Sequence, residues 1–103
     1  MSEQNKPFSI IERLRSIAIG FKGIVHFFKS EHNAIVHLAV TIIVIAFGIW
    51  LSISGTEWIM ITLAVGFVFC AEIFNTAIEK LADEITLEYS ESIKWIKDLS
   101  AAA

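Results

Sequence analysis

From Ser9 onward, apolar side chains return at three- and four-residue steps: Ile10, Ile11, Leu14, Ile17, Ala18, Phe21, Ile24, Val25 and Phe28. Glu12, Arg13, Arg15, Ser16, Lys22, His26 and Lys29 fall mostly between them. A stripe on a 3.6-residue period predicts an amphipathic helix over residues 8–29. Its basic face opposite Ile and Phe suits a helix lying in the headgroup layer of a membrane. Packing against partner helices is the alternative. Residues 1–7, ahead of the stripe, are polar and read as disordered.

The period then gives way to a continuous apolar run. AIVHLAVTIIVIAFGIWLSI, residues 34–53, carries no formal charge apart from what His37 can acquire. At ~1.5 Å rise per residue it crosses the ~30 Å hydrocarbon layer of a bilayer. A secretory signal peptide does not fit, because an amphipathic helix precedes the run, no small-residue cleavage pattern ends it and a second apolar run follows. SISGTE, residues 52–57, has the glycine and polar content of a tight turn. A second span is predicted from residue 58 to 81, giving an all-α membrane protein with a surface helix. Residues 84–97 are polar and mixed, after which KDLSAAA closes the sequence. The terminal alanines look like the opening of a further hydrophobic helix. A third span beyond Ala103, in a longer chain, is therefore expected.

Composition strengthens this picture. With 103 residues the chain forms at most one domain, and 55% are hydrophobic against 18% charged. Ordinary soluble domains sit near ~45–50% and ~25%. A net charge of −3 gives no reason to expect a nucleic-acid partner. The distribution of charge is more informative. Lys6, Arg13, Arg15, Lys22 and Lys29 precede the first span, Lys80, Lys94 and Lys97 follow the second, and the turn has no basic residue. The positive-inside rule then places both ends in the cytoplasm and the turn outside, with Trp50 and Trp58 as aromatic anchors at the outer boundary. The single cysteine, Cys70, cannot form an internal disulfide and reads as a small packing residue.

Candidate chemistry gathers where the second span ends. On a helix turning ~100° per residue, Glu72, Asn75, Glu79 and Asp83 fall within a sector of roughly 80°. An acid at the bilayer centre costs roughly 2.5–3.5 kcal/mol on insertion scales, less toward the interface. Glu72 lies about two turns inside Lys80 and so is hard to explain as an interfacial charge. Glu72 and Glu79 are ~10 Å apart along the helix axis, too far to grip one small cation that holds its oxygens at about 2.0–2.1 Å. Their roles must differ. Glu79, near the interface, suits a metal and a nucleotide arriving from water. Glu72, deeper, suits proton abstraction from a lipid alcohol. Glu31, at the entry to the first span, stands at about the level of Glu79 if the spans form a hairpin, and is the candidate second metal ligand. Asn33 and His37 follow it and are candidate contacts to the lipid substrate. His37 reads more readily as a packed or hydrogen-bonding histidine than as a metal ligand.

AEIFNTAIEKLAD, residues 71–83, resembles the E-x-x-N-(S/T)-A-I-E-x-x-x-D signature of the prokaryotic diacylglycerol kinase and undecaprenol kinase family. The flanking order is similar too: F-K-G in the amphipathic helix, a Glu before the first span, then L-E-Y and K-D after the second. The similarity runs over about residues 8–103. It implies a homotrimer in the bacterial cytoplasmic membrane, with three spans and a surface helix per subunit and active sites shared between subunits. It implies Glu72 as general base with Asn75 beside it, and Mg²⁺ held by Glu31 and Glu79 against the phosphates of ATP. Glu88, Tyr89, Lys97 and Asp98 match positions that contact the nucleotide. Ile19 stands where relatives often carry an aromatic residue, and Arg13 and Arg15 are stand-ins for an N-terminal basic contact. The lack of a Walker-type glycine loop or protein-kinase signature agrees with this family.

Two lipid alcohols are expected substrates: diacylglycerol first, giving phosphatidate, and undecaprenol second. The S-E-H-N-x-x-x-H stretch at residues 30–37 leans somewhat toward the latter. A rival of another class is a non-enzymatic membrane assembly or ion-binding protein whose acidic stripe carries protons or metal.

Overall fold

A computed structural model describes residues 7–103, so the expected disordered segment and Lys6 lie, Pro7 apart, outside the described residues. Four helices follow one another: α1, Ile10–Ser30; α2, His32–Trp50; α3, Gly55–Ile85; and α4, Glu91–Ala102. The first starts where the Ser9 hydroxyl accepts a hydrogen bond from the Glu12 backbone N–H, a side-chain cap for one of the donors a helix leaves free. Glu31 is extended, with φ −115° and ψ 121°, and breaks α1 from α2 in a single residue.

The predicted elements are present with shifted ends. The first apolar helix runs from His32 to Trp50 rather than over 34–53. It stops because Ser52 turns into the left-handed region at φ 51°. The turn predicted at residues 52–57 is shorter, since Ser54 is already the N-cap of α3. Its hydroxyl accepts from the Glu57 N–H and the Glu57 carboxylate accepts from the Ser54 N–H, a reciprocal capping box. The second apolar helix, predicted over 58–81, continues to Ile85 without interruption. No Gly or Pro stops it there, so its polar end stays helical until Thr86 becomes extended. The region predicted as a cytoplasmic segment with a helix opening near Ala101 has its helix earlier, starting at Glu91 behind a Ser90 cap.

Both α2 and α3 are long and apolar enough to cross a membrane. Little of this protein lies inside a core of its own. Among the described residues, Phe27, Ala34, Gly48, Ala82 and Ser100 are buried, while Phe67 on α3 is 78% exposed. The apolar surface therefore faces outward, as expected where lipid takes the place of a core. The hairpin of α2 and α3 closes tightest at Gly48. A Cβ built there would lie 2.7 Å from the Trp58 ring.

Helix α1 crosses this pair instead of running beside it. Its Phe28 ring meets Phe69 of α3 at 5.7 Å between centroids. Its His26 Nε2 meets the Lys80 Nζ at 2.9 Å. Those α3 residues are about 16 Å apart along the axis, and His26 and Phe28 point from opposite sides of α1. Helix α1 therefore lies across α3, its aromatic edge reaching toward the apolar end and its polar edge toward the polar end. Helix α4 turns back along α3. Ser100, late in α4, meets Asn75, and Lys97, one turn earlier, meets Asp83.

Candidate active site

The four-residue polar face of α3 becomes a seam between two neighbours. Glu72 faces α2, where the His37 Nε2 stands 3.1 Å from its Oε1. Asn75 and Asp83 face α4. The Ser100 hydroxyl donates to the Asn75 Oδ1 at 2.6 Å, and the Lys97 ammonium donates to the Asp83 Oδ1 at 2.6 Å. Glu79, between them, is half-buried. A one-sided stripe on one helix is thus divided among partners from two others.

Around Glu72 the surroundings are aromatic. Phe69, one turn earlier on α3, packs edge-on against the His37 ring at 6.2 Å, and Phe28 of α1 backs it. Glu72 keeps a quarter of its side-chain surface, 26%, and His37 32%. The acid is reachable but held in a mostly apolar wall.

Glu31 and Glu79 share a different property. Glu31 forms the elbow between α1 and α2, its backbone N–H bonded to the Phe27 carbonyl at 3.0 Å, and its carboxylate caps neither helix. Among the described residues no protein group pairs with either carboxylate, and no three His, Cys, Asp or Glu side chains cluster tightly enough to hold a metal alone. Both carboxylates are half-buried and, among the described residues, uncommitted, a donor chemistry that suits Mg²⁺. That ion keeps several waters and takes one or two carboxylates together with substrate phosphates.

The residues implied as nucleotide contacts come together. Glu88, Tyr89, Lys97 and Asp98 all line one open cavity of about 260 Å³, where residues 86–90 and α4 meet the end of α3. The Glu88 backbone N–H donates to the Thr86 hydroxyl at 3.0 Å, which shapes that bend. Tyr89 is 82% exposed. Asp98 pairs with Lys94 one turn before it at 2.7 Å. Arg13, Arg15 and Ile19 line a separate cavity of about 480 Å³ along α1. Asn33 is exposed on the first turn of α2, and no side-chain bond ties it to the Glu72 pair.

Two participants escaped the sequence reading. Ser100 had a signal, since Ile93, Lys97 and Ser100 recur at helical spacing and form the α4 stripe turned toward α3. Phe69 had none, as one more phenylalanine in an apolar run.

Residues 18–103 match the family described as prokaryotic diacylglycerol kinase. The chain is also similar to an undecaprenol kinase of Bacillus subtilis (strain 168), 35% identical over 82 residues that cover 80% of this chain and 67% of that protein.

Proposed function

The chain belongs to the prokaryotic diacylglycerol kinase family of small membrane lipid kinases, and from that premise we propose that it moves the γ-phosphoryl group of ATP onto the hydroxyl of a membrane polyprenol. Undecaprenol is favoured by the 35%-identical relative. Diacylglycerol, preferred from the sequence, is the second reading and keeps the support of the family description.

The observation that carries the reading is the division of labour among the acids. Glu72 is deep, half-buried and has His37 Nε2 3.1 Å from one oxygen, while Glu31 and Glu79 are shallower in the sequence order of the helices and, among the described residues, unpaired. In the proposed reaction the alcohol oxygen attacks the γ-phosphorus, the bond to the bridging oxygen breaks, and ADP departs. Glu72 takes the hydroxyl proton as the new bond forms. Asn75, fixed by Ser100, orients groups beside that carboxylate. Glu31 and Glu79 would hold Mg²⁺, which when bound neutralises charge on the phosphates. Lys97 exchanges Asp83 for a phosphate oxygen, and Glu88, Tyr89 and Asp98 bound the rest of the nucleotide. Such a transfer depends chiefly on positioning and charge neutralisation.

The same reading puts the protein in the bacterial cytoplasmic membrane with both described ends on the cytoplasmic side, as a homotrimer whose subunits complete one another's sites. The broad outward apolar surface supports both.

The test offers undecaprenol and dioleoylglycerol separately, in mixed micelles with Mg-ATP, to wild type and to Glu72→Gln. Wild type phosphorylates undecaprenol faster. The variant loses about 10²- to 10⁴-fold in turnover and keeps the wild-type helical circular dichroism. Wild type that phosphorylates neither alcohol refutes the proposal, and the non-enzymatic reading then stands.

A further inference from the structure

We infer that His37 is a positioning residue for Glu72: its imidazole holds one carboxylate oxygen so that the other is presented to the alcohol. This rests on the lipid-kinase reading above and adds to it how the base is aimed.

The contact is asymmetric. Nε2 stands 3.1 Å from Oε1, and among the described residues the other oxygen of Glu72 has no protein partner. A carboxylate turns about its last bond in a broad, roughly two-fold well. With nothing on either oxygen, it spends much of its time facing away from a substrate. Engaging Oε1 removes that freedom and leaves one basic oxygen with a defined direction, the geometric requirement of an efficient proton transfer. The imidazole ring likewise turns in a broad well, so its N–H comes into line with Oε1 as the site tightens around substrate.

The imidazole itself packs against α3, and α1 backs that contact. Phe69 of α3 packs on it at an interplanar angle of 68°. Phe28 of α1 presses on Phe69 from behind.

His37 also stands at a boundary. On one side is Glu72. On the other an apolar cavity of about 290 Å³ runs between α2 and α3, bounded by Val40, Val44, Ala64 and Val68. A hydrocarbon chain in that cavity brings its hydroxyl end past His37 to the free oxygen of Glu72.

The experiment uses the full chain in mixed micelles containing undecaprenol and Mg-ATP, with His37→Ala and His37→Gln. The Gln side-chain nitrogen falls near the position of Nε2 and keeps an N–H donor. His37→Ala lowers kcat by about 10- to 100-fold with KM for lipid and ATP within about twofold, and His37→Gln recovers most of the loss. In parallel, the His37 ¹⁵Nε2 resonance of labelled protein moves on Glu72→Gln. A raised lipid KM at unchanged kcat overturns the inference in favour of a substrate contact. Equal losses in both variants, with reduced helicity, overturn it in favour of a structural role. A resonance that Glu72→Gln leaves unmoved shows that the pair does not form, and sinks this inference while an active wild type keeps the kinase reading. Wild type without turnover sinks both.

Discussion

Ser100 is the most buried polar side chain of the described residues, and its one bond goes to a residue of the acidic seam. Removing a hydroxyl there leaves the Asn75 carbonyl oxygen facing protein with nothing to accept from. Asn75 is half-buried, so the loss is that of one hydrogen bond, about 0.5–1.5 kcal/mol. Ser100→Ala is expected to lower the thermal midpoint in micelles accordingly, and to reduce turnover because Asn75 loses its fixed orientation. Asp83 and Lys97 differ in kind. Both are substantially exposed, and an exposed ion pair contributes about 0–1 kcal/mol. Asp83→Ala is therefore expected to change unfolding stability by at most about 1 kcal/mol, while the lysine is freed toward the α4 cavity. Thermal melts of the two variants side by side check the contrast.

At the scale of elements, the glycines separate by surroundings. Gly48 sits where α2 closes on α3, with the rigid Trp58 ring 2.7 Å from where a Cβ would be and the Ile53 Cδ1 at 3.1 Å. Gly48→Ala forces the hairpin apart and is expected to cost about 1–3 kcal/mol. Gly20 on α1 has nothing within 4 Å of its Cβ position. Gly20→Ala is expected to stabilise by up to about 1 kcal/mol through helix propensity alone. Opposite signs in thermal melts of the two variants are the expected result. The same closeness at Gly48 sets how α2 and α3 face each other, and so helps bring His37 opposite Glu72.

The whole molecule measures 53 × 44 × 23 Å along its principal axes, a broad, shallow body with its apolar side chains outside. Cys70 reports on what covers them. It lies in the middle of α3 and is exposed among the described residues, so in a membrane it is shielded by lipid, another subunit or a further span. In intact vesicles Cys70 is expected to resist a water-soluble maleimide and to react within minutes once the protein is denatured. Rapid labelling in vesicles would contradict a membrane-embedded α3. Mass spectrometry of the labelled peptide reads the outcome directly.

Much of this protein was legible one helix at a time. The apolar period of residues 10–28 and the two uncharged runs depend on neighbours within a turn or two, so the sequence alone determined three helices apart from their ends, while α4 starts at Glu91, earlier than the helix expected near Ala101. The angle shared by Glu72, Asn75, Glu79 and Asp83 is likewise a property of a single helix, and the family signature lies wholly on it. The partners of those side chains were not legible. Glu72 meets His37 from another helix, and Asn75 meets Ser100 from 25 residues away. Each depends on the approach distance and crossing of two helices, fixed by Gly48, by the Phe28–Phe69 contact and by α4 folding back. No local pattern encodes such a crossing, because many packings satisfy the same periodicity. Sequence supplied the acids. Only the tertiary structure decided which helix each one faces, and therefore which of them is held and which remains free to bind.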